Sequence, residues 1–208
     1  MKQKSRTEYS VMNTTVAFLA QTLAIFMGFF TRVVFTRTLS EGYVGINGLF
    51  TDILNILSLS ELGVGTAITY ALYAPIARRD IKKQQILMRM FRNFYRITAG
   101  FVVLAGLCLI PFLDILMKDR PDVNHLIIIY LLYLLNSVVS YLLIYKKTLV
   151  DAHQMNYITV MYHNGFLVLQ DILQIIVLFL TRNFILFLVI AVVCTIIGNI
   201  CMSRKADR

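Results

Sequence analysis

The chain has 208 residues, of which 58% are hydrophobic and only 15% charged, with a mean hydropathy of +0.72. A soluble domain carries about 25% charged residues, so a water-soluble globular protein is excluded. The net charge of +9 does not point to nucleic acid, because the basic residues gather in alternate connections between apolar stretches.

Six such stretches occur, at about 11–35, 43–73, 94–116, 125–145, 157–180 and 184–202. A hydrocarbon core of about 30 Å takes about 20 helical residues. The chain is therefore expected to be all-α: a polytopic membrane protein built as a six-transmembrane-helix bundle. The first stretch follows Lys2, Lys4 and Arg6 like a signal peptide, but it is too long and no small-residue cleavage site follows it, so it reads as a retained helix. Thr14, Gln21, Gly28 and Arg32 align along it. Arg32 stands about 28 Å up that helix from Asn13, in the outer part of the membrane. Its planar guanidinium suits a phosphate or pyrophosphate, held bidentately; alternatively it snorkels to the outer headgroups.

The second stretch is overlong and must tilt, bend or protrude. Asn47, Thr51, Asn55 and Ser58 recur on it at helical spacing, and Gly65 and Thr69 return to that face. Its glycines Gly42, Gly45, Gly48, Gly63 and Gly65 read as close-packing positions. Pro75 ends it. Residues 76–93 then form an amphipathic connection, with Ile86, Leu87, Met90 and Phe91 on one face and Arg78, Arg79, Lys82, Lys83 and Arg89 around the rest. This describes an interfacial helix along anionic headgroups, or charges that only set orientation.

The third stretch is nearly all apolar, with Pro111 near its end. The fourth adds Asn136 and Ser140. The fifth carries Thr159, His163, Gln170, Gln174 and Thr181 on one face, flanked by Asn164 and Asp171. Cys108, Cys194 and Cys201 lie in apolar helices as packing residues. No CxxC, HExxH or glycine-rich phosphate loop occurs, so no metal, cofactor or nucleotide site has support. Of the 20 Lys and Arg residues, 15 lie in the tails and alternate connections, which predicts cytoplasmic N- and C-termini.

Amides and hydroxyls on a membrane helix also serve ordinary helix–helix contacts. Three helices sharing the feature, with Arg32, Asp52, Glu61 and Asp171 near membrane depth, favour a solvated pathway. The cavity candidates are Arg32, Gln21, Asn47, Thr51, Asn55, Ser58, His163, Gln170 and Gln174. Asp52, Glu61 and Asp171 are candidates for a coupling proton or cation, or for pairing with Arg32 or an amide.

Three runs carry a likeness: TRVVFTRTLSEGYVGINGLFTDIL at 31–54, LSLSELGVGTAI at 57–68 with ALYAP at 71–75, and DAHQMNYI at 151–158. Together they resemble Wzx-type polysaccharide flippases, bacterial exporters of the multidrug/oligosaccharidyl-lipid/polysaccharide superfamily. The resemblance implies one six-helix lobe of a fold that has two, so the chain is expected to be a fragment, or a half that pairs with a second chain. It implies transport of an undecaprenyl-pyrophosphate-linked oligosaccharide from the cytoplasmic to the outer leaflet by alternating access, in a bacterial plasma (inner) membrane. It also implies no catalytic residue and no enzyme activity, and it matches Arg32 to an arginine lining the cleft. Two rivals are a drug exporter of the same superfamily, coupled to ions, and a membrane-embedded enzyme acting on lipid-linked sugars. The first would favour an acidic cavity. The second would need clustered carboxylates or a histidine nucleophile, whereas His125, His153 and His163 are scattered.

Overall fold

The computed structural model describes residues 6–58, 64–117, 123, 125–142 and 144–206, and everything regular in them is helical. In chain order the helices are α1 (Arg6–Thr38), α2 (Glu41–Ser58), α3 (Val64–Ala77), α4 (Ile81–Leu109), α5 (Leu113–Leu116), α6 (Leu126–Leu142), α7 (Ile144–Ala152), α8 (Asn156–Thr181) and α9 (Phe184–Ala206). Among the described residues, five helical stretches are long and apolar enough to cross a membrane: Val11–Thr38, Ile81–Phe112, Leu126–Ala152, Asn156–Thr181 and Phe184–Ala206. This is the architecture of a polytopic helical membrane protein.

α1 packs along α8 in parallel, and a single side chain ties their beginnings together. The Asn13 amide donates to the Gln154 carbonyl at 3.0 Å, and its oxygen accepts the Tyr157 N–H at 2.8 Å. Asn13 thus satisfies one of the orphan donors that open α8. Gln154 takes a left-handed φ of 64°, which turns α7 sharply into α8. The Asn13→Ala variant is expected to lose about 1–2 kcal/mol of stability. Its thermal unfolding midpoint should fall, and exchange of the Tyr157 amide should quicken.

Two cores hold the bundle, one at each end. At the upper end, where α1 finishes, Phe35, Ile46, Phe50, Ile129, Tyr130, Leu178 and Phe184 are buried together. Their rings meet edge to face, Phe35 on Phe184 at 5.5 Å and Phe50 on Tyr130 at 5.1 Å between centroids, a geometry that adds attraction beyond area burial. At the lower end Leu54, Ile68, Leu72, Phe91, Tyr95, Val102 and Tyr141 form the second core. α2 enters the upper core and reaches the lower one at Leu54, while α3 belongs wholly to the lower core. Within the overlong stretch expected at 43–73 the described residues form α2 and α3, neither of which is among the five apolar spans found among the described residues. Residues 59–63 between them, with Glu61 and Gly63, lie outside the described residues, as does the Ser58 side chain.

The connection at 76–93 also differs from the expected interfacial helix. α4 starts at Ile81, where the Asp80 carboxylate accepts the Lys83 N–H at 3.0 Å, and runs unbroken for 29 residues. The amphipathic segment is the beginning of a spanning helix of about 43 Å. Phe91 turns into the lower core while Ile86 and Met90 stay exposed.

Of the glycines expected to pack closely, a Cβ at Gly65 would meet the Tyr95 hydroxyl at 3.4 Å, whereas Gly45 and Gly48 on α2 are open. A Cβ at Gly45 or Gly48 would meet nothing within 4 Å. Close approach occurs instead at Gly106, where α4 meets Leu134 of α6, and at Gly198, where α9 meets Phe166 of α8.

Candidate functional site

Two cavities flank the first half of α8. One, of about 480 Å³, opens between α1 and α8 beneath α7 and presents Gln21, Thr22, Asn156 and Asn164. The other, of about 190 Å³, lies among α6, α7, α8 and α9 and presents Ser140, Tyr162, Gln170, Thr195 and Asn199. Lys147, Thr159 and His163 line both, so the two cavities share one polar wall. Thr159 and His163 stand one turn apart on α8, and α7 brings Lys147 across to them.

The charge of this wall is one-sided. Among the described residues Lys147 is the only Lys, Arg, Asp or Glu lining either cavity. Asp151, one turn beyond it on α7, stands within electrostatic reach of Lys147 and close to the Thr159 hydroxyl without lining a cavity. Neither Asp151 Oδ1 nor Thr159 Oγ1 makes a well-aligned hydrogen bond. Thr159 is only 2% exposed, so its hydroxyl is a buried polar atom with no well-aligned hydrogen bond, although the Asp151 carboxylate stands beside it, and such groups are rare without a reason.

Three of the expected cavity residues reach these spaces: Gln21, His163 and Gln170. Gln174 does not. It is 2% exposed, its amide donates to the Phe187 carbonyl on α9 at 3.0 Å, and Gln170 donates to it at 3.5 Å. One stripe therefore divides, with its lower part opening into water-sized space and its upper part joining two helices.

The polar line of α2 faces elsewhere. Asn47 accepts the Tyr133 phenol of α6, Thr51 donates back to the Asn47 carbonyl at 2.6 Å, and Thr51, Asp52 and Asn55 are exposed. None of them lines either cavity. Arg32 is exposed and lies outside both cavities. Its guanidinium sits over the Phe35 ring, 5.6 Å from the centroid, within electrostatic reach of the Tyr133 phenol. It is thus part of an upper polar group with Asn47 and Tyr133. Asp171 lies beside the buried Thr31 hydroxyl at the α1–α8 contact, away from Asp52 on α2.

Lys147, Tyr162, Asn156 and Asn199 were not expected in the site. Lys147 is one of the basic residues in alternate connections, for which membrane orientation is a sufficient reading of the sequence. Its placement one helical turn before Asp151 was the available signal, since that spacing puts both groups on one side of α7. No protein-family model, curated protein or solved structure matches the chain.

Proposed function

We propose that the chain is one lobe of a Wzx-type flippase that carries an isoprenoid-pyrophosphate-linked oligosaccharide across a bacterial plasma membrane. The observation that carries this reading is that Gln21 of α1 and His163 of α8 line the same cavity. A sugar headgroup cannot enter hydrocarbon without losing its hydrogen bonds to water, at a cost of several kcal/mol per polar group. A cleft of amides, hydroxyls and imidazole between spanning helices replaces those bonds while the isoprenoid tail stays in lipid.

The charge of the cavities supports an anionic cargo. With Lys147 as the sole formal charge on their walls among the described residues, a cationic drug is repelled and a pyrophosphate attracted. The helix directions support the topology. α1 and α8 begin together at Asn13 and Tyr157, and α2 and α3 lead from the upper core to the lower one. Residues 41–77 then supply the return crossing between α1 and α4, giving six crossings with both ends on the cytoplasmic side. The second lobe, on the same chain or another, closes the cleft.

Arg32 serves this reading as a receptor at the upper end, where its guanidinium is held by the Phe35 ring and left open to a ligand. The Arg32→Ala variant is expected to slow export about tenfold, the worth of one charge-assisted hydrogen bond, with the unfolding midpoint little changed. The assay is the amount of surface polysaccharide in source cells that depend on the variant. Deletion of the gene should leave lipid-linked glycan accumulating on the cytoplasmic face. Normal surface polysaccharide after deletion contradicts the function, and a normal rate in Arg32→Ala removes Arg32 from the site.

A further inference from the structure

We infer that Lys147, Thr159 and His163 form a seat for a phosphate group at the junction of the two cavities. The inference deepens the transport reading and rests on it for the choice of an isoprenoid phosphate as the cargo. The geometry itself is independent of that reading. Lys147 brings a full positive charge to a wall that it shares with only two other side chains. Among the described residues no carboxylate lines either cavity; Asp151, one turn along α7, stands outside both but within electrostatic reach of Lys147.

Thr159 supplies the second observation. It lines both cavities and is 2% exposed, and Oγ1 makes no well-aligned hydrogen bond, the Asp151 carboxylate being the polar group beside it. A hydroxyl buried in this way meets its need when an acceptor enters the cavity, and a phosphate oxygen is a strong acceptor. His163, one turn up the same helix, adds a ring nitrogen to the same space.

The space around the seat suits what is attached to the phosphate. The cavity among α6, α8 and α9 carries Ser140, Gln170 and Asn199 beside the rings of Tyr162 and Phe166, a mix of hydrogen-bonding groups and flat apolar faces that fits a sugar. The α1 side is lined by Phe18 and Ile25 as well as Gln21, and Phe18 is largely exposed, so an acyl or isoprenoid chain could leave there into lipid. The phosphate would sit between the two.

The test is titration calorimetry on the full chain in phosphatidylcholine nanodiscs, with farnesyl pyrophosphate and inorganic pyrophosphate as probes. Farnesyl pyrophosphate is expected to bind the wild type. Lys147→Gln should weaken it at least about tenfold and Thr159→Val several-fold, while Lys147→Arg stays within about threefold and Lys205→Gln, at the exposed end of α9, changes nothing. Inorganic pyrophosphate bound about tenfold more weakly identifies a lipid headgroup as the ligand, and equal binding identifies a free anion; either supports a phosphate seat. Equal affinity in wild type and Lys147→Gln overturns it, as does a folded wild type that binds neither probe. Loss of the seat with export still dependent on Arg32 leaves the transport reading standing. A normal seat on a protein whose deletion leaves surface polysaccharide unchanged overturns transport alone.

Discussion

The Gly106→Val variant is expected to be about 2–4 kcal/mol less stable than the wild type, summing overpacking of about 1–3 kcal/mol with one lost hydrogen bond of about 1 kcal/mol. A Cβ at Gly106 would stand 2.5 Å from Leu134 Cδ1, 3.0 Å from Cδ2 and 3.3 Å from Cγ. Leu134 is only 4% exposed, so its branch has little room to retreat. The Gly106 carbonyl also accepts the buried Tyr130 hydroxyl at 2.8 Å, and separating α4 from α6 to admit a side chain stretches that bond. With no hydrophobic drive between helices in lipid, such close backbone approach is a main source of cohesion. Thermal unfolding in detergent measures the loss. Gly106→Ala combined with Leu134→Ala should cost less than the two single changes added together, because each removes what the other collides with. A wild-type midpoint for Gly106→Val contradicts the packing described.

Replacing both Gln21 and His163 with leucine is expected to lower export roughly a hundredfold while leaving the fold within about 0.5 kcal/mol. Both side chains are exposed in the α1–α8 cavity, so little native packing is lost. The cargo suffers instead: each missing partner leaves a hydroxyl unsatisfied at about 1–3 kcal/mol, and each 1.4 kcal/mol is about tenfold in rate. Gln174→Leu should behave in the opposite way. Its amide bonds the Phe187 carbonyl, so that variant loses about 1 kcal/mol of stability and keeps its export rate. Full export by the double leucine variant would separate the cavity from transport.

The length and apolar character of the spans were legible in the sequence because hydropathy responds to composition, and composition is what lipid selects. The sharing of 43–73 between the upper core and the lower one was not, since periodicity assigns residues to a face without saying what that face will meet. α4 differs from its expectation in another way. Its basic beginning suggested a helix lying along headgroups, yet no proline lies between Ile81 and Leu109 and Asp80 caps it once, so it continues as one rod. The stripes were legible as stripes only. Gln170 and Gln174 share a face of α8 by spacing, but which of them meets a cavity depends on where α9 crosses, and that is a matter of packing between distant segments. Lys147 was hidden for a related reason: a basic residue in a connection already had a sufficient explanation in membrane orientation.

Everything proposed for the site requires the space between α1 and α8 to hold water when the protein is in its membrane. The direct measurement places single cysteines by Gln21→Cys, His163→Cys and Gln174→Cys in a background carrying Cys108→Ala, Cys194→Ala and Cys201→Ala, and treats membrane vesicles with an impermeant maleimide. Labelling at the first two positions and protection at the third is the predicted result. A folded protein in which Gln21→Cys and His163→Cys stay unlabelled from both aqueous faces, with and without cargo, contradicts it.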